Sequence, residues 1–565
     1  MNAAHRVRDG VYTPLPTHTI DTGELYDVVI VGGGIAGLAA AYTVAKDTGR
    51  SKTRLVLENH PIFGGGAKQN EFMVNGVRLV GPQASNQFGV PRESSTSISN
   101  EAWTDFGLPR SFDYQDVDAS ADGLRIPLDN YAHMDGVNES QVDVGYYFDE
   151  STGATSPAWV RNIWKNDLAD APFSPAVKAD LLRWRRTSAD TSNEFRRHLD
   201  TMTYAEYLEG VLKLSPEVTK FAAPIVGLIN GAGPDAVSAF AAAQIGMPGV
   251  GRVRSQTGPL PQSFPGGNST YARHFVKYLI PSAISGAPDL AGVFNGRVNF
   301  PALDRAGEAV RIRLGATVVR VEHAQSNTEG EHVMVAYEKD GQPYRVKARA
   351  VVIASGGGMS RAILADMPED LKQAYATFQH APALVVNVAL TNWRFLHHLG
   401  APCARWFDDE FGFSCNIRRP MTMGAAMAPM RPDAPTVLTF YMGLYAPGKT
   451  MAEQVASGRK RLMETTYADY ERLIRRRMTT MFRSAGFDAR RDIAGIILNR
   501  WGHARVVQPP GFYYGTNGQP SARETVASGY GRIAIGHSEL GGHQSATGAM
   551  AQAQRAARQA LTAIG

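Results

Sequence analysis

Cysteine is nearly absent: Cys403 and Cys415 are the only two in 565 residues. Two thiols allow one disulfide at most, so a disulfide framework is excluded. There is no C-x-x-C and no Cys/His spacing of the kind that holds zinc, so no metal site is expected. No apolar run reaches the ~18 residues a membrane-spanning helix needs. Neither sign of charge dominates. Lys and Arg number 58 against 53 Asp and Glu, a net charge of +5. The densest basic run, RLIRRRM at Arg472–Met478, falls in a helical pattern and reads as a solvated helix face, not a nucleic-acid footprint. The opening decapeptide MNAAHRVRDG lacks an apolar core segment, and Arg6 and Arg8 are not adjacent. As it stands the sequence reads as cytoplasmic, and as periplasmic only if an exported leader has been removed. Repeats and low-complexity tracts are also missing. At this length, with 44% apolar residues, the chain suggests two or more domains, or one large two-lobed unit.

What is present is concentrated at Tyr26–Gly37, YDVVIVGGGIAG. Val28–Val31 is a short β-branched run of the kind a buried parallel strand needs. Gly32, Gly34 and Gly37 fit G-x-G-x-x-G: a tight turn, a close backbone approach to a pyrophosphate, and close packing of helix on strand. Ile35–Lys46 reads as the helix, and the N–H groups at its start, around Ile35 and Ala36, would face the pyrophosphate. A second strand, Arg54–Leu57, ends at Glu58, the expected ~20 residues beyond the glycines, where a carboxylate bonds a ribose diol. Asn59 follows it. An acid here disfavours a 2′-phosphate, leaving FAD or NAD. The next segment, FGGGAK from Phe63 to Lys68, separates these two. Gly64 and Gly65 let a loop lie against a ribityl diphosphate, and Lys68 can meet its charge. Acid, short gap, glycine pair and base resemble the extended FAD signature of the amine oxidase and carotenoid desaturase superfamily.

The expected fold class is α/β, two-lobed: a glutathione-reductase-like Rossmann FAD-binding domain with an inserted, helix-rich substrate domain. Residues 1–23 read as an irregular arm. Residues 24–92, 260–357 and 495–565 form the discontinuous FAD domain; residues 93–259 and 358–494 form the substrate domain. Helices are expected at Pro157–Asp167, Val177–Arg186, Tyr204–Leu212, Pro216–Ala223 and Asp235–Ile245, and one long helix at Met451–Phe482. Ser263–Ile280 reads as a Pro-Gly-Gly turn and a helix. Strands are expected at Val310–Leu314, Ala316–His323, Val333–Lys339 and Tyr344–Ala354, with a hairpin at Asp340-Gly341. Further cofactor candidates follow from position: Gly81, Pro82 and Gln83 closing the first unit, Val319 in the β passage, Ser355 and Gly356 after a buried strand, and Gly536, His537, Gly548 and Ala549 in the last strand–loop–helix unit.

LVLENHPIFGGGAKQNEF (Leu55–Phe72), TYAEYLEGVLKLSPEV (Thr203–Val218), AGPDAVSAFAAAQIGMPG (Ala232–Gly249), RIRLGATVVRVEH (Arg311–His323), NVALTNWRFLHHLG (Asn387–Gly400), AGFDARRDIAGIILNRWGHA (Ala485–Ala504) and GRIAIGHSEL (Gly531–Leu540) occur in order across nearly the whole chain. Together they resemble the bacterial spermidine dehydrogenase-like flavoproteins, a branch of the FAD amine oxidase superfamily. The resemblance implies a two-lobed flavoprotein that oxidises a C–N bond of an amine; some relatives add a b-type haem. Two stretches depart from it. Gly81–Phe88 stands where relatives have Gly-Tyr-Gly-Gly-Thr, and Ser355–Met359 where they often have Cys-Trp-Asn-Ala-Met. Fold and cofactor are implied; spermidine as the substrate is not.

The expected chemistry is hydride removal from a carbon bearing a neutral amine, giving an imine that hydrolyses, with flavin as the acceptor. The start of the final helix, near Gly548 and Ala549, would stabilise negative charge on reduced flavin. Trp501 and His503 match the family's N-R-W-x-H and, with His537, are the catalytic candidates. Phe512, Tyr513 and Tyr514 are candidates for a dry aromatic slot that keeps the amine neutral, and Asp143, Asp149 and Glu150 for acids at its mouth. Neither cysteine lies in a flavin-linking motif, so FAD is expected to be noncovalent. The partners expected are a small amine, O2 or a redox carrier as electron acceptor, and a second copy in a homodimer. The alternatives are oxidation of a C–C or C–O bond, and an FAD-binding escort protein without turnover.

Overall fold

The computed structural model describes all residues except 1, 129–138, 140, 153, 189, 191, 251–261, 265, 326–329, 408–410 and 424–426. The strand Ile20–Val31 is the centre of the nucleotide lobe. It pairs in parallel with Gln342–Ile353 on one side and Arg54–Glu58 on the other, placing Val31 beside Ile353 and Leu57. Val310–Leu314 extends the sheet beyond Arg54–Glu58, while Val333–Lys339 and Thr317–His323 extend it on the opposite side. Ile533–Ile535 pairs with the end of Gln342–Ile353. Val28 and Ile30 face one apolar core and Val29 and Val31 the other. This two-sided burial is why the strand has no alternating pattern. Burying each of these side chains contributes about 1.5–3 kcal/mol before entropy is counted.

The crossover helix Ile35–Asp47 packs on the final helix Ala546–Thr562, and Arg558 reaches Asp47 at 2.9 Å. Alanines line both buried faces, so two backbones can approach where larger residues would hold them apart. In the hairpin joining Val333–Lys339 to Gln342–Ile353, Asp340 and Gly341 both have positive φ, at 53° and 83°, as a two-residue turn of this hand requires.

The second lobe contains two sheets. An antiparallel three-stranded sheet runs Thr436–Gly443, His380–Leu390, Ile493–Val506; a four-stranded one runs Ser414–Asn416, Cys403–Arg405, Val144–Phe148, Ala158–Arg161. A third apolar core fills this lobe.

Several expectations are corrected. Ala158–Arg161 is a strand paired with Val144–Phe148, not part of a helix from Pro157. Met451–Phe482 is two helices, Met451–Glu464 and Tyr467–Phe482; Thr466 stops the run and caps the second through Asp469, a reciprocal cap that favours a new start over continuation. Residues 495–506, grouped with the nucleotide lobe from the sequence, pair with His380–Leu390 in the other lobe. The N-terminal arm is not irregular throughout: it holds a helix, Asn2–Arg8, and docks through Arg6 and Tyr12 onto Glu338. Pro265 of the expected turn and the boundary at 259/260 lie outside the described residues. Cys403 and Cys415 are buried and form no disulfide; they lie on neighbouring strands, opposite Asn416 and Ala404 and not opposite each other. Within RLIRRRM, Arg472 pairs with Asp469, and Arg475 with Glu471 at 2.9 Å.

Burial also makes His274 and His543 acid-sensitive. His274, stacked on Phe106 with 2% exposure, and His543 are each pushed down to about 4, His274 by burial and His543 by burial and then Arg505. Unfolding restores the ordinary value near 6.5. Their contribution is therefore present above pH 6.5 and lost as pH falls toward 4, at up to about 1.4 kcal/mol per pH unit for each. Urea unfolding at pH 7 and pH 5 should show a lower midpoint at pH 5. Glu139, pushed up to about 7 by burial, works in the opposite direction over this range, so the shift is assigned by substitution: a pH dependence that neither His274→Asn nor His543→Asn alters would refute the assignment.

Candidate functional site

The glycine turn is held by backbone and one carboxylate. Gly32 has φ +109° and donates its N–H to the Leu57 carbonyl at 2.8 Å. Gly33 donates to Glu58 Oε2 at 2.7 Å. Glu58 Oε1 accepts from the His60 N–H and faces His60 Nδ1, both at 2.9 Å. Burial pushes this carboxyl up, but His60 and the two N–H groups hold it below the usual range, so it is an anion at neutral pH. A β-carbon on Gly37 would lie 1.7 Å from the Gly32 carbonyl oxygen, and one on Gly65 would lie 2.9 Å from Gly34 Cα. The helix that begins at Ile35 and Ala36 has no side-chain cap, leaving its first N–H groups for another acceptor.

The FGGGAK segment lies directly against this turn. Gly64 donates to the Gly33 carbonyl at 2.8 Å. Lys68 is half-buried, burial lowers its pKa, and among the described residues no carboxylate forms an ion pair with it. Asn59 is exposed beside Glu58. Ala316 donates to the Glu58 carbonyl at 2.8 Å, bringing Thr317–His323, with its buried Val319, to the same end of the sheet.

A polar seam joins this lobe to the three-stranded sheet. Gln83 donates to Asn70 Oδ1 at 3.1 Å, and its carbonyl accepts the Trp501 indole N–H at 2.9 Å. Asn387, fully buried, donates to the Pro82 carbonyl at 2.9 Å and accepts from Thr439 at 2.9 Å. A β-carbon on Gly81 would strike Asn387 at 2.6 Å. Asn70 reaches Asn499 at 3.2 Å. Thus 81–83, which departs from the resembling family, is the seam between the lobes.

The residues after Gln342–Ile353 close the site. Ser355 bonds Ser360 at 3.1 Å, and Gly356 precedes a helix, Gly357–Ile363. Gly536 donates to Ile353 at 2.8 Å. Beyond it stands Glu539, fully buried, contacting His380 Nε2 at 2.6 Å, His537 Nδ1 at 2.8 Å and the Gly357 N–H at 2.7 Å. His503 is accessible on Ile493–Val506, with its ring centroid 6.0 Å from that of His380. Neither His380 nor Glu539 was a site candidate from the sequence; H-S-E alone carries no spacing that signals such a cluster.

Other candidates lie further back. Phe512 and Tyr513 are buried; Phe512 contacts Phe378, which contacts His380, at ring distances of 5.8 and 6.4 Å. Tyr514 is half-buried under the Arg197 guanidinium, 4.7 Å from its ring, and Asp200 anchors the N–H groups of Tyr513 and Tyr514. Gly548 donates to Ser545 Oγ at 3.1 Å, so the final helix is capped by its own serine, and Ala549 is buried. Asp143 is tied to Arg125 at 2.5 Å and to Asn162 at 2.9 Å. Asp149 begins a short turn that includes the exposed Glu150. Among the described residues, no group of three or more His, Cys, Asp or Glu side chains could hold a metal ion, and no helix is long and apolar enough to cross a membrane.

The NAD(P)-binding Rossmann-like domain family matches residues 30–93. No curated protein matches the sequence. A putrescine oxidase bound to putrescine superposes with TM-score 0.58 and 15% identity, covering 95% of this chain and 99% of that one. Cyclohexylamine oxidase from Brevibacterium oxydans IH-35A gives 0.59 and 16%, over 95% and 99%. The fold is that of the FAD-dependent amine oxidases. A protein described as a protoporphyrinogen oxidase from Exiguobacterium sp. 255-15 shares it at 0.57 and 14%, over 96% and 99%. Within this amine oxidase fold, the bare glycine cradle, the uncapped helix start and the unpaired Lys68 cation suit the diphosphate of FAD.

Proposed function

We propose that the protein is an FAD-dependent oxidoreductase that oxidises a C–N bond of an amine, by hydride removal from the carbon bearing a neutral nitrogen, to an imine that water hydrolyses. The observation that carries this reading is the junction of two parts: a dinucleotide cradle ending in the buried Glu58 anion, and a sheet whose Trp501 and Asn387 bond the carbonyls of Gln83 and Pro82. FAD, when bound, supplies the two-electron chemistry. The chain supplies its anchors: Gly32, Gly34, Gly37, Gly64 and Gly65 leave backbone bare, Lys68 meets the diphosphate, and Glu58 meets the ribose. Trp501 ties the second lobe's sheet to the Gln83 carbonyl, and His503 stands beside Gly358. The shared fold of putrescine and cyclohexylamine oxidases supports an amine as the substrate. The likeness to the Exiguobacterium protein and the departures at 81–88 and 355–359 favour the second reading, oxidation of a C–C or C–O bond. The haem that some members of the resembling family carry is not part of this proposal.

The test is absorbance. Purified protein should show flavin bands, and acid precipitation should leave the yellow colour in the supernatant, as noncovalent FAD requires. Anaerobic addition of spermidine, or of another amine from a panel, should bleach the flavin near stoichiometry and yield aldehyde plus amine. Admitting air then separates O2 from a redox carrier as the acceptor. A flavin that dithionite reduces and no amine bleaches would overturn the amine reading.

A further inference from the structure

Glu539 is an anion held where water does not reach. Burial pushes its carboxyl up, and His380 and His537 pull it further down, below the usual carboxylate range. Contact at 2.6 Å with a carboxylate oxygen places the His380 proton on Nε2 and leaves a lone pair on Nδ1. That Nδ1 faces Gly358. A β-carbon on Gly358 would lie 3.7 Å from His380 Nδ1 and 3.5 Å from His503 Nδ1. Two imidazole nitrogens thus converge on the bare face of one glycine, one ring backed by a buried anion and the other accessible. Part of the His503 ring is shielded by its neighbours, and this, then Arg459, His380 and Arg361, pushes it down to about 4.

We propose that the face of Gly358 between the two imidazoles is the amine-nitrogen subsite, in which His503 Nδ1 accepts a hydrogen bond from the substrate's ammonium group and His380 Nδ1 takes its proton. This rests on the amine reading above and adds the group that makes the amine reactive. An alkylammonium loses its proton only near pH 10 in water, and the nitrogen lone pair is what drives loss of the neighbouring hydride. In the step, one ammonium N–H bond breaks, its electron pair stays on nitrogen, and a new N–H bond forms at His380 Nδ1. Glu539 acts through His380 as a positioning residue that fixes the tautomer and stabilises the imidazolium. The charged and titratable groups around the pair are His537 on its own turn, His503 on the facing strand, Arg361 and Tyr375 on the helices after Gly357, and Arg459 on Met451–Glu464.

Two measurements test this. In 15N-histidine NMR, which needs no turnover, His380 should be the Nε2–H tautomer, and Glu539→Gln should change its ring shifts. An Nδ1–H tautomer would overturn the proposal. In anaerobic stopped-flow from pH 6 to 10 with the bleaching amine, His380→Asn should slow flavin reduction at pH 7 by about 10²–10⁴-fold. Speed should return toward pH 10, where the free amine needs no base. Glu539→Gln should show the same shape more weakly, Glu539→Asp should recover part of the loss, and Gly358→Ala, which places a methyl group between the two imidazoles at ordinary contact distances, should raise the amine concentration needed for half-maximal rate. Wild-type bleaching that His380→Asn and Gly358→Ala leave unchanged overturns this proposal alone. Failure of every amine to bleach the wild type overturns the amine reading and removes this subsite with it.

Discussion

Gly37→Ala is expected to abolish the folded, yellow protein. The added β-carbon would sit 1.7 Å from the Gly32 carbonyl oxygen and 2.9 Å from its carbon. Neither partner can swing away, because both are backbone. Gly32 is itself pinned, with its N–H on Leu57 and its Cα facing the Ala354 carbonyl at 3.2 Å from the position of a β-carbon. Relief would require the helix Ile35–Asp47 to lift off the strand, uncovering alanines that now pack on the final helix. The cost lies at the extreme of single substitutions, more than about 4 kcal/mol. Gly66→Ala is the control in the same region: its φ is not positive and the nearest atom is Ala84 Cβ at 3.8 Å. Thermal unfolding and the visible spectrum should show wild-type behaviour for Gly66→Ala and no flavin-bearing species for Gly37→Ala. A yellow Gly37→Ala protein with an unchanged Tm would refute the turn geometry.

The second large effect is expected at Glu58. Removing this carboxylate in Glu58→Ala strands the Gly33 and His60 N–H groups. The buried Gly33 donor left without a partner costs about 1–3 kcal/mol, while the His60 N–H, on an exposed residue, can bond water instead. The same loss loosens the turn that would carry the diphosphate and removes the acceptor for the ribose diol. FAD affinity should therefore fall by ten- to several-hundred-fold, 1.4 kcal/mol being tenfold, and the protein should lose its colour on gel filtration. Glu58→Gln keeps one acceptor oxygen for Gly33 and should retain FAD better than the alanine. Equal retention of FAD by Glu58→Ala and the wild type would remove Glu58 from the cofactor site.

Much of the nucleotide lobe was legible because its signals are local. Val28–Val31, the three glycines and Glu58 lie within one βαβ unit, and each residue type is demanded by its own backbone position. The strands from Val310 to Ile353 were likewise readable from β-branched periodicity, and their hairpin from the two residues, Asp340 and Gly341, that tolerate positive φ. Where local pattern misled, a neighbour decided. Ala158–Arg161 reads as helix until Val144–Phe148 offers an edge to pair with, and Thr466 interrupts a continuous helical pattern because its side chain and that of Asp469 cap each other.

The sequence by itself determined the dinucleotide cradle and the acid that closes it. It also determined that the chain has no disulfide framework and no apolar run of membrane-spanning length, since these follow from composition, spacing and the conformational freedom of single residues. Only the tertiary structure decided the rest. The strand Ile493–Val506 carries Trp501 and His503 into the second lobe because His380–Leu390 supplies an edge there. Gln83, Asn387 and Trp501 meet because two lobes close on one another. Glu539 reaches His380 across 159 residues and Gly357 across 182. No periodicity relates such positions. A buried carboxylate between two imidazoles is stable only when the surrounding fold satisfies every lone pair at once, and that condition is set by packing in three dimensions.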